Sequence, residues 1–271
     1  MAASIADALR SVGVGPLEAR ALLRTALGES DAYLAAHPER ALSADQRDHF
    51  LALAERRRAG EPLAYVTGER EFFSLAFQVT PAVLIPRPET EHLVEAALER
   101  IPENAPCRVL ELGTGSGCIA VAIARHRPRV QLVATEIESA ALAVARENAR
   151  RHAAGNVQWM LSDWFAALGD ARFDLIVANP PYVAEGDPHL SQGDLRFEPR
   201  AALAAGADGL DCIRAVVAGA PRHLAAGGWL LFEHGYDQAA RCRALLAQAR
   251  FREIFALSDL AGVPRVAGGR A

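Results

Sequence analysis

The chain has 271 residues, of which 51% are hydrophobic and 23% charged, and its 29 cationic side chains, all arginine, stand against 33 anionic ones for a net charge of −4. These proportions are ordinary for a globular protein and exclude a disordered, collagenous or disulfide-framework chain, while the length predicts about two domains. No apolar run approaches the roughly 18 residues of a membrane-spanning helix, and the negative charge argues against non-specific binding to nucleic acid.

The N-terminal segment and the cysteines indicate a cytoplasmic protein. The N-terminus has no basic flank before an apolar stretch, so we expect no export signal. The cysteines lack C-x-x-C spacing, which argues against a zinc site or disulfide frame and favours a reducing compartment. They stand at Cys107, Cys118, Cys212 and Cys242.

The first 60 residues show the apolar spacing of helices and no run typical of a strand. Ser43, three residues before Gln46, predicts a capping box at the start of the last of these helices. The arginine run 56–58 is the only candidate basic patch, and we interpret it as a solvated helix end. The sequence therefore predicts a small all-helical domain over residues 1–70.

Residues 71–85 concentrate aromatic and β-branched side chains, as a strand or hairpin does. Pro86 and Pro88 end this stretch, and a helix of good periodicity is expected from Glu89 to about Arg100. We therefore expect a β-hairpin linker over residues 71–88.

From residue 108 onward, apolar runs alternate with helical segments. Such alternation predicts an α/β domain, Rossmann-like, with a mainly parallel sheet and helices on both faces, over residues 89–271. The last ten residues fit either a final strand or a frayed end. The expected strands cover 108–112, 130–136, 156–161, 173–179, 228–234 and 251–257.

A glycine-rich turn, ELGTGSG at 111–117, follows the first of these strands. Glycines there let a ligand approach the backbone closely. Cys118 stands where a dinucleotide fingerprint has its last glycine, which argues against a nicotinamide cofactor. Glu136 closes the next strand and suits the two hydroxyls of a ribose, with Glu138 as the second choice. Together these features predict a nucleoside-containing cofactor.

Two further segments follow strand ends. Asp163 can accept a hydrogen bond from an exocyclic amine and Trp164 offers a flat apolar wall, so the pair suits an adenine ring.

The tetrapeptide NPPY at 179–182 follows another strand, where α/β sheets place their ligands. The Asn179 side chain and the Pro180 carbonyl can both accept from one planar NH₂ group, an amide or a base amine, against which the Tyr182 ring can pack.

These motifs resemble the class I S-adenosylmethionine-dependent methyltransferases with an N-P-P-Y motif, and among them the HemK/PrmC protein glutamine methyltransferases. The resemblance covers nearly the whole chain and includes the same division into helical domain, hairpin and methyltransferase domain. Glu111 and Glu136 stand where that family often has Asp. The matching segments are 64–79, 84–91, ELGTGSGCIA, SDWF, VANPPY, 197–210 and FEHGYDQ.

The resemblance implies methyl transfer from S-adenosylmethionine, leaving S-adenosylhomocysteine, to the glutamine of the Gly-Gly-Gln motif in class I peptide chain release factors. The helical domain would dock that protein, and the enzyme would be a cytoplasmic monomer without metal. Asn179, Pro180 and Tyr182 would be catalytic, and these three with Pro181 would bind the acceptor. The implied cofactor-binding residues are Gly113, Thr114, Gly115, Ser116, Gly117, Glu136, Asp163, Trp164 and Asn179.

Three alternatives remain at this stage. The first is a ribosomal-protein glutamine methyltransferase, although the segment PRPETE favours release factors. The second is an N6-adenine methyltransferase, against which stand the net charge and the lack of a basic recognition domain. The third is a fold that binds without catalysis. Other polar groups near the motifs are expected to be structural or solvent-facing: Glu185, Glu198, His189 and His234.

Overall fold

The computed structural model describes residues 4–271, so the first three residues of the expected helical domain lie outside it. The chain divides into two compact units. One comprises the chain up to Glu69 together with Gly193–Phe197, and the other comprises Arg70–Gln192 and Glu198–Ala271.

The first unit is helical and has its own core. Ile5, Leu22 and Phe50 are almost completely buried, whereas Leu17 and Leu51, which also fit the helical spacing, are 84% and 43% exposed. Fewer of the apolar residues in these helices therefore face the core than their spacing in the sequence predicts. The helices are α1 (Ile5–Ser11), α2 (Pro16–Leu27), α3 (Asp31–Ala36), α4 (Ala44–Arg58) and α5 (Leu63–Thr67).

Both ends of α4 follow from its sequence. At its start, Ser43 and Gln46 form the predicted capping box. At its end, Arg56–Arg58 occupy the last turn, as expected for cations near a helix C-terminus. Arg57 is less solvated than predicted, since its side chain is 21% exposed and pairs with Glu18 at 2.8 Å and Asp194 at 3.5 Å.

A hairpin follows α5, formed by β1 (Glu69–Phe72) and β2 (Leu75–Gln78). It begins two residues before the expected linker of 71–88 and its strands end at Gln78, well before the prolines expected to end it. Its two turn residues, Phe73 and Ser74, have φ angles of +51° and +59°, the left-handed values that a tight hairpin turn of this kind needs. The Phe73 N–H donates to Glu91 Oε1 at 2.8 Å, which anchors the strained turn to the following helix.

The remaining strands form one seven-stranded sheet in the order β5-β4-β3-β6-β7-β9-β8. All neighbours are parallel except β9, which is antiparallel to both β7 and β8. This arrangement confirms the predicted α/β class. The strands are β3 (Cys107–Leu112), β4 (Val130–Glu136), β5 (Val157–Leu161), β6 (Phe173–Ala178), β7 (Leu224–Glu233), β8 (Arg252–Ser258) and β9 (Pro264–Arg270).

Helices cover both faces of this sheet and bury two apolar layers. Leu93 and Ile123 belong to the layer on one face, and Ile213 and Leu246 to the layer on the other. Within residues 4–271 no helix has the length and apolar character needed to cross a membrane. The helices are α6 (Glu91–Arg100), α7 (Cys118–His126), α8 (Ser139–Arg151), α9 (Asp211–His223) and α10 (Ala239–Gln248).

Strand register brings the chemically interesting residues to one edge of the sheet. Leu112 is paired with Ala178, and Ala178 with Phe232. The residues that follow these three, and Glu136 at the end of β4, therefore lie along the carboxyl edge, where ligands bind in open α/β sheets.

Candidate active site

A cavity of about 320 Å³ opens at the carboxyl edge of the sheet. Volumes of this size suit small-molecule ligands. Most of the residues expected to bind cofactor or acceptor line it, namely Gly113, Thr114, Gly115, Ser116, Glu136, Asp163, Trp164, Asn179 and Pro181. Three expected site residues, Gly117, Pro180 and Tyr182, are not part of its wall.

The glycine loop leads from β3 into α7 with left-handed backbone at each glycine. The φ angles of Gly113, Gly115 and Gly117 are +68°, +55° and +80°. At Gly117 a Cβ would lie 3.0 Å from Ala145 Cβ and 3.2 Å from the Trp159 ring, so packing as well as conformation requires glycine there. Gly117 therefore shapes the loop, while Gly113 and Gly115 form the cavity wall.

Glu136 binds the loop to the end of β4. Its buried carboxylate accepts three backbone N–H groups, from Gly115 to Oε2 at 2.8 Å and from Ile137 and Glu138 to Oε1 at 2.9 and 3.1 Å. Since a carboxylate has about four acceptor positions, capacity is left mainly on Oε2. Glu138, the second choice in sequence, also lines the cavity, but its residue is exposed.

Trp164 is held against the cavity by an unusual backbone conformation. Its φ is +44°, which is strained for a bulky residue. The Ser162 hydroxyl donates to the Trp164 carbonyl at 3.1 Å and accepts the Ala167 N–H at 3.0 Å, which stabilises the turn. The indole lies over the glycine loop, 3.6 Å from where a Cβ of Gly113 would stand, so its ring forms a wall of the cavity rather than core alone.

The NPPY segment is supported from behind by Gln238 and Gly209. Gln238 Nε2 donates to the Tyr182 carbonyl at 2.9 Å. Gly209 has φ +73°, and a Cβ there would stand 2.4 Å from the same carbonyl oxygen. The Tyr182 hydroxyl donates to Glu233 Oε1 at 3.0 Å. Tyr182 is thus anchored behind the cavity in this structure.

Two residues without a strong sequence signal are connected to Asn179 by hydrogen bonds, Thr90 directly and Glu233 through Thr90. Asn179 Nδ2 donates to Thr90 Oγ1 at 3.2 Å, and Thr90 Oγ1 donates to Glu233 Oε2 at 2.6 Å. Both belong to segments quoted for the family resemblance, PRPETE and FEHGYDQ. Glu233 ends β7, which is paired with the strand that precedes Asn179. That position at a strand end is the one sequence feature that indicates a place near the site.

The polar groups expected to be structural fall into two sets. Glu185 and His189 are exposed, whereas Glu198 and His234 are buried. Glu198 accepts the Ile85 N–H at 3.1 Å and pairs with the Arg87 guanidinium, so it holds the segment between hairpin and α6.

Glu111, at the start of the glycine motif, is completely buried. Its Oε2 accepts the Thr114 hydroxyl at 2.6 Å, whereas Oε1 has no partner of normal hydrogen-bond geometry among residues 4–271. Burial, with a smaller contribution from the charge of Glu136, raises the pKa of Glu111 from 4.5 to about 8. The fold therefore favours the protonated carboxyl.

Glu111→Gln is expected to stabilise the protein increasingly as pH rises. Below pH 4.5 the carboxyl is protonated in both folded and unfolded chains, whereas between pH 4.5 and about 8 only the folded chain retains the proton, so wild-type stability falls over that window. Each pKa unit corresponds to about 1.4 kcal/mol, so a gain above roughly 2 kcal/mol is expected at pH 8.5. Urea unfolding at pH 5 and pH 8.5 measures it, with Glu138→Gln as an exposed control. A pH-independent difference would contradict the expectation.

The sheet order, the glycine loop after β3 and NPPY after β6 define a methyltransferase of the class I fold. Residues 91–194 match the family model of the methyltransferase small domain, and residues 3–68 match that of the PrmC N-terminal domain. The chain belongs to the release factor glutamine methyltransferase family.

The relatives that show the family match over nearly their whole length. The release factor glutamine methyltransferase of Burkholderia pseudomallei is 52% identical, over 99% of this chain and 96% of its own. That of Bordetella pertussis is 49% identical, over 97% of each. Among solved structures, a T. thermophilus 16S rRNA N2 G1207 methyltransferase in complex with AdoMet and guanosine is similar in fold, with a TM-score of 0.55 and 24% identity over 74% of this chain and 49% of that one.

Proposed function

We propose that this protein transfers the methyl group of S-adenosylmethionine to the side-chain amide nitrogen of the glutamine in the Gly-Gly-Gln motif of class I peptide chain release factors. The observation that carries the proposal is the orientation of Asn179, whose NH₂ group is bonded to Thr90 while the residue lines the cavity. Its carbonyl oxygen is thereby available to a planar NH₂ group. The relatives named above support a glutamine amide as that group.

The cavity has the features that S-adenosylmethionine requires. The loop at Gly113 and Gly115 presents backbone without side chains, and Glu136 Oε2 has capacity for a ribose hydroxyl. Asp163 and Trp164 supply a hydrogen-bond acceptor and an apolar wall for the adenine ring. When bound, the cofactor supplies an electrophilic methyl group on a sulfonium centre.

The protein's own contribution is to orient a poor nucleophile. An amide nitrogen is weakly nucleophilic because its lone pair is delocalised into the carbonyl. Oδ1 of the cavity-lining Asn179 would accept one N–H bond of the acceptor amide, which helps to fix the direction of the nitrogen lone pair. It would also stabilise the positive charge that develops on the nitrogen. The Pro180 carbonyl, which the sequence motif suggests for the second N–H bond, belongs to a residue outside the cavity wall, so Asn179 alone is assigned this role. Positioning and electrostatic preorganisation would then account for catalysis. No general base is needed before attack, since the nitrogen would become acidic once the N–CH₃ bond has formed and the S–CH₃ bond has broken, and would then lose one proton to solvent.

Tyr182 has a supporting part in this scheme. Burial, and the charge of Glu233 beside it, raise the pKa of the Tyr182 hydroxyl, so the phenol stays protonated and donates to Glu233. We assign Tyr182 to holding the backbone of NPPY and its neighbour Pro181 in place, rather than to packing its ring against the acceptor, because Tyr182 is not part of the cavity wall.

The helical unit is assigned to docking the release factor. A single glutamine on a loop offers too little surface for specificity, so a second area of contact is needed. The unit folds around its own core and includes Gly193–Phe197, a segment that follows NPPY closely in sequence. The enzyme would act in the cytoplasm, where release factors work.

Mass spectrometry tests the proposed function directly. The protein is incubated with S-adenosylmethionine and a purified class I release factor, which is then digested. A single-methyl mass increase on the Gly-Gly-Gln peptide is expected, and none with a Gly-Gly-Glu factor as control. Parallel incubations contain ribosomal proteins and DNA. Methyl transfer only to a ribosomal protein or to adenine, or to nothing, would overturn the proposal.

A further inference from the structure

We infer that Thr90 and Glu233 fix the orientation of the Asn179 carboxamide and are therefore positioning residues for the acceptor amide. The inference deepens the proposed function and rests on it. Neither residue belongs to the NPPY motif; Thr90 lines the cavity, whereas Glu233 is not part of its wall. The orientation follows from which atoms can donate a hydrogen bond and which can only accept one.

Glu233 determines where the Thr90 proton goes. Its side chain, which is 1% exposed at the end of β7, accepts two hydrogen bonds. Thr90 Oγ1 donates to Oε2 at 2.6 Å, and Tyr182 Oη donates to Oε1 at 3.0 Å. An ionised carboxylate only accepts, and hydrogen bonds to it are short and strong. While Glu233 is ionised, the single hydroxyl proton of Thr90 is therefore committed to it.

Thr90 in turn determines which end of the Asn179 side chain faces it. With its proton committed, the Thr90 oxygen can only accept from Asn179. Asn179 must then present its NH₂ group to Thr90, as the 3.2 Å contact shows. The carbonyl oxygen Oδ1 is left for another donor. Reversal of the amide would set Oδ1 against an oxygen with no proton to give.

The three residues are held by separate, well-packed elements. Asn179 follows β6 and Glu233 ends β7, two strands paired in register at Ala178 and Phe232. Thr90 is 2% exposed and ends the 3₁₀ turn that leads into α6. Because side chains in such surroundings move little, hydrogen-bond polarity rather than motion sets the amide direction.

The charge on Glu233 is the origin of this polarity. Burial raises the pKa of Glu233, and the charge of Glu89 acts in the same direction, while Arg265 and the hydroxyls of Thr90 and Tyr182 lower it. The Cys118 thiol also feels the Glu233 charge. As pH falls, a protonated Glu233 could donate to Thr90, which would release the Thr90 proton toward Asn179 Oδ1. The wild-type kcat should therefore decline on the acid side.

The test compares kcat, KM for the release factor and cofactor Kd in Thr90→Val, Thr90→Ser and Glu233→Gln. Thr90→Val should lower kcat about tenfold, the effect of roughly one hydrogen bond, with cofactor Kd unchanged. Thr90→Ser restores the hydroxyl and should recover most of that loss. In Glu233→Gln the glutamine NH₂ group can donate to Thr90, so kcat should fall as it does in Thr90→Val. Because glutamine does not titrate, the decline of kcat at acid pH should also disappear.

Controls separate positioning from folding and from the proposed function. Thr135→Val removes another buried hydroxyl of the same sheet, bonded to the Glu111 carbonyl at 3.3 Å, and should leave kcat unchanged. Melting temperatures of all variants monitor the fold, and Thr90→Ser remains informative if Thr90→Val unfolds. Two results would overturn this inference alone, provided that the wild type is active. One is a Thr90→Val variant whose kcat equals that of the wild type, and the other is a folded Thr90→Ser variant that recovers none of the lost kcat. An inactive wild type would overturn the proposed function and the inference with it.

Discussion

Asn179→Ala is expected to lower kcat at least a hundredfold and to leave the cofactor Kd within about threefold of the wild-type value, because loss of one preorganised charge-stabilising group commonly costs a factor of about 10²–10³ in turnover. Asn179 lines the cavity as well as bonding to Thr90, but its proposed work is on the acceptor amide. Steady-state kinetics with purified release factor and calorimetry with the cofactor measure the two quantities separately.

The control for this variant is Asn104→Ala, at an exposed position before β3. It should behave as the wild type in both assays. Near-normal kcat in Asn179→Ala would contradict the proposed mechanism. If the cofactor Kd rises in parallel with the loss of turnover, Asn179 acts mainly in the cofactor site. Asn179 is also among the cofactor-binding residues that the family resemblance implies.

The parallel strands could be predicted because their physical setting leaves a clear pattern. With helices on both faces, strands such as β3 and β6 are nearly continuous apolar runs, and polar or glycine residues follow them directly. Since parallel strands end at one edge, the same pattern places Gly113, Glu136 and Asn179 near one another. This is why nine of the 25 residues that line the cavity could be predicted without coordinates, whereas the wall formed by residues 82–90 and 199–212 could not.

The C-terminal strand β9 shows where local composition is insufficient. Its sequence contains Pro264 and the pair Gly268 and Gly269, which are poor strand formers. The strand exists because it lies between β7 and β8 and bonds to both. A Cβ at Gly268 would lie 2.7 Å from the Phe255 ring, so glycine is required by the neighbouring strand. Tertiary packing thus overrides propensity.

The roles of Thr90 and Glu233 could not be predicted because they depend on contacts far apart in sequence. The Thr90–Glu233 hydrogen bond spans 143 positions and the Asn179–Thr90 bond spans 89. A lone threonine and a glutamate at a strand end are common, and neither has a distinctive chemistry by itself. Only the fold shows that they share one chain of hydrogen bonds with the residue that carries the NPPY motif.

The α10 helix has only a weak signal in its own sequence, for a related reason. Its alanine-rich segment, Ala239–Gln248, buries only Cys242 and Leu246 completely, so its apolar face is narrow. The helix packs on β8 and β9 rather than forming from strong periodicity. A segment of this kind is recognisable once the strands that it covers are known.

Glu136→Ala is expected to raise the cofactor Kd about fiftyfold while kcat at saturating cofactor changes little, which is the opposite pattern to Asn179→Ala. Loss of a charged acceptor typically costs about 1.5–3 kcal/mol, and here the Gly115, Ile137 and Glu138 N–H groups lose their acceptor together with the proposed ribose hydroxyl. Glu103→Ala is the matched control, since Glu103 is exposed and does not line the cavity, and its Kd should stay within about twofold of wild type. Glu136→Asp keeps the charge on a shorter side chain and should lie between the two. Calorimetry measures the cofactor Kd of all three variants, and their melting temperatures confirm that each one folds. An unchanged Kd in folded Glu136→Ala would show that the ribose is bound elsewhere.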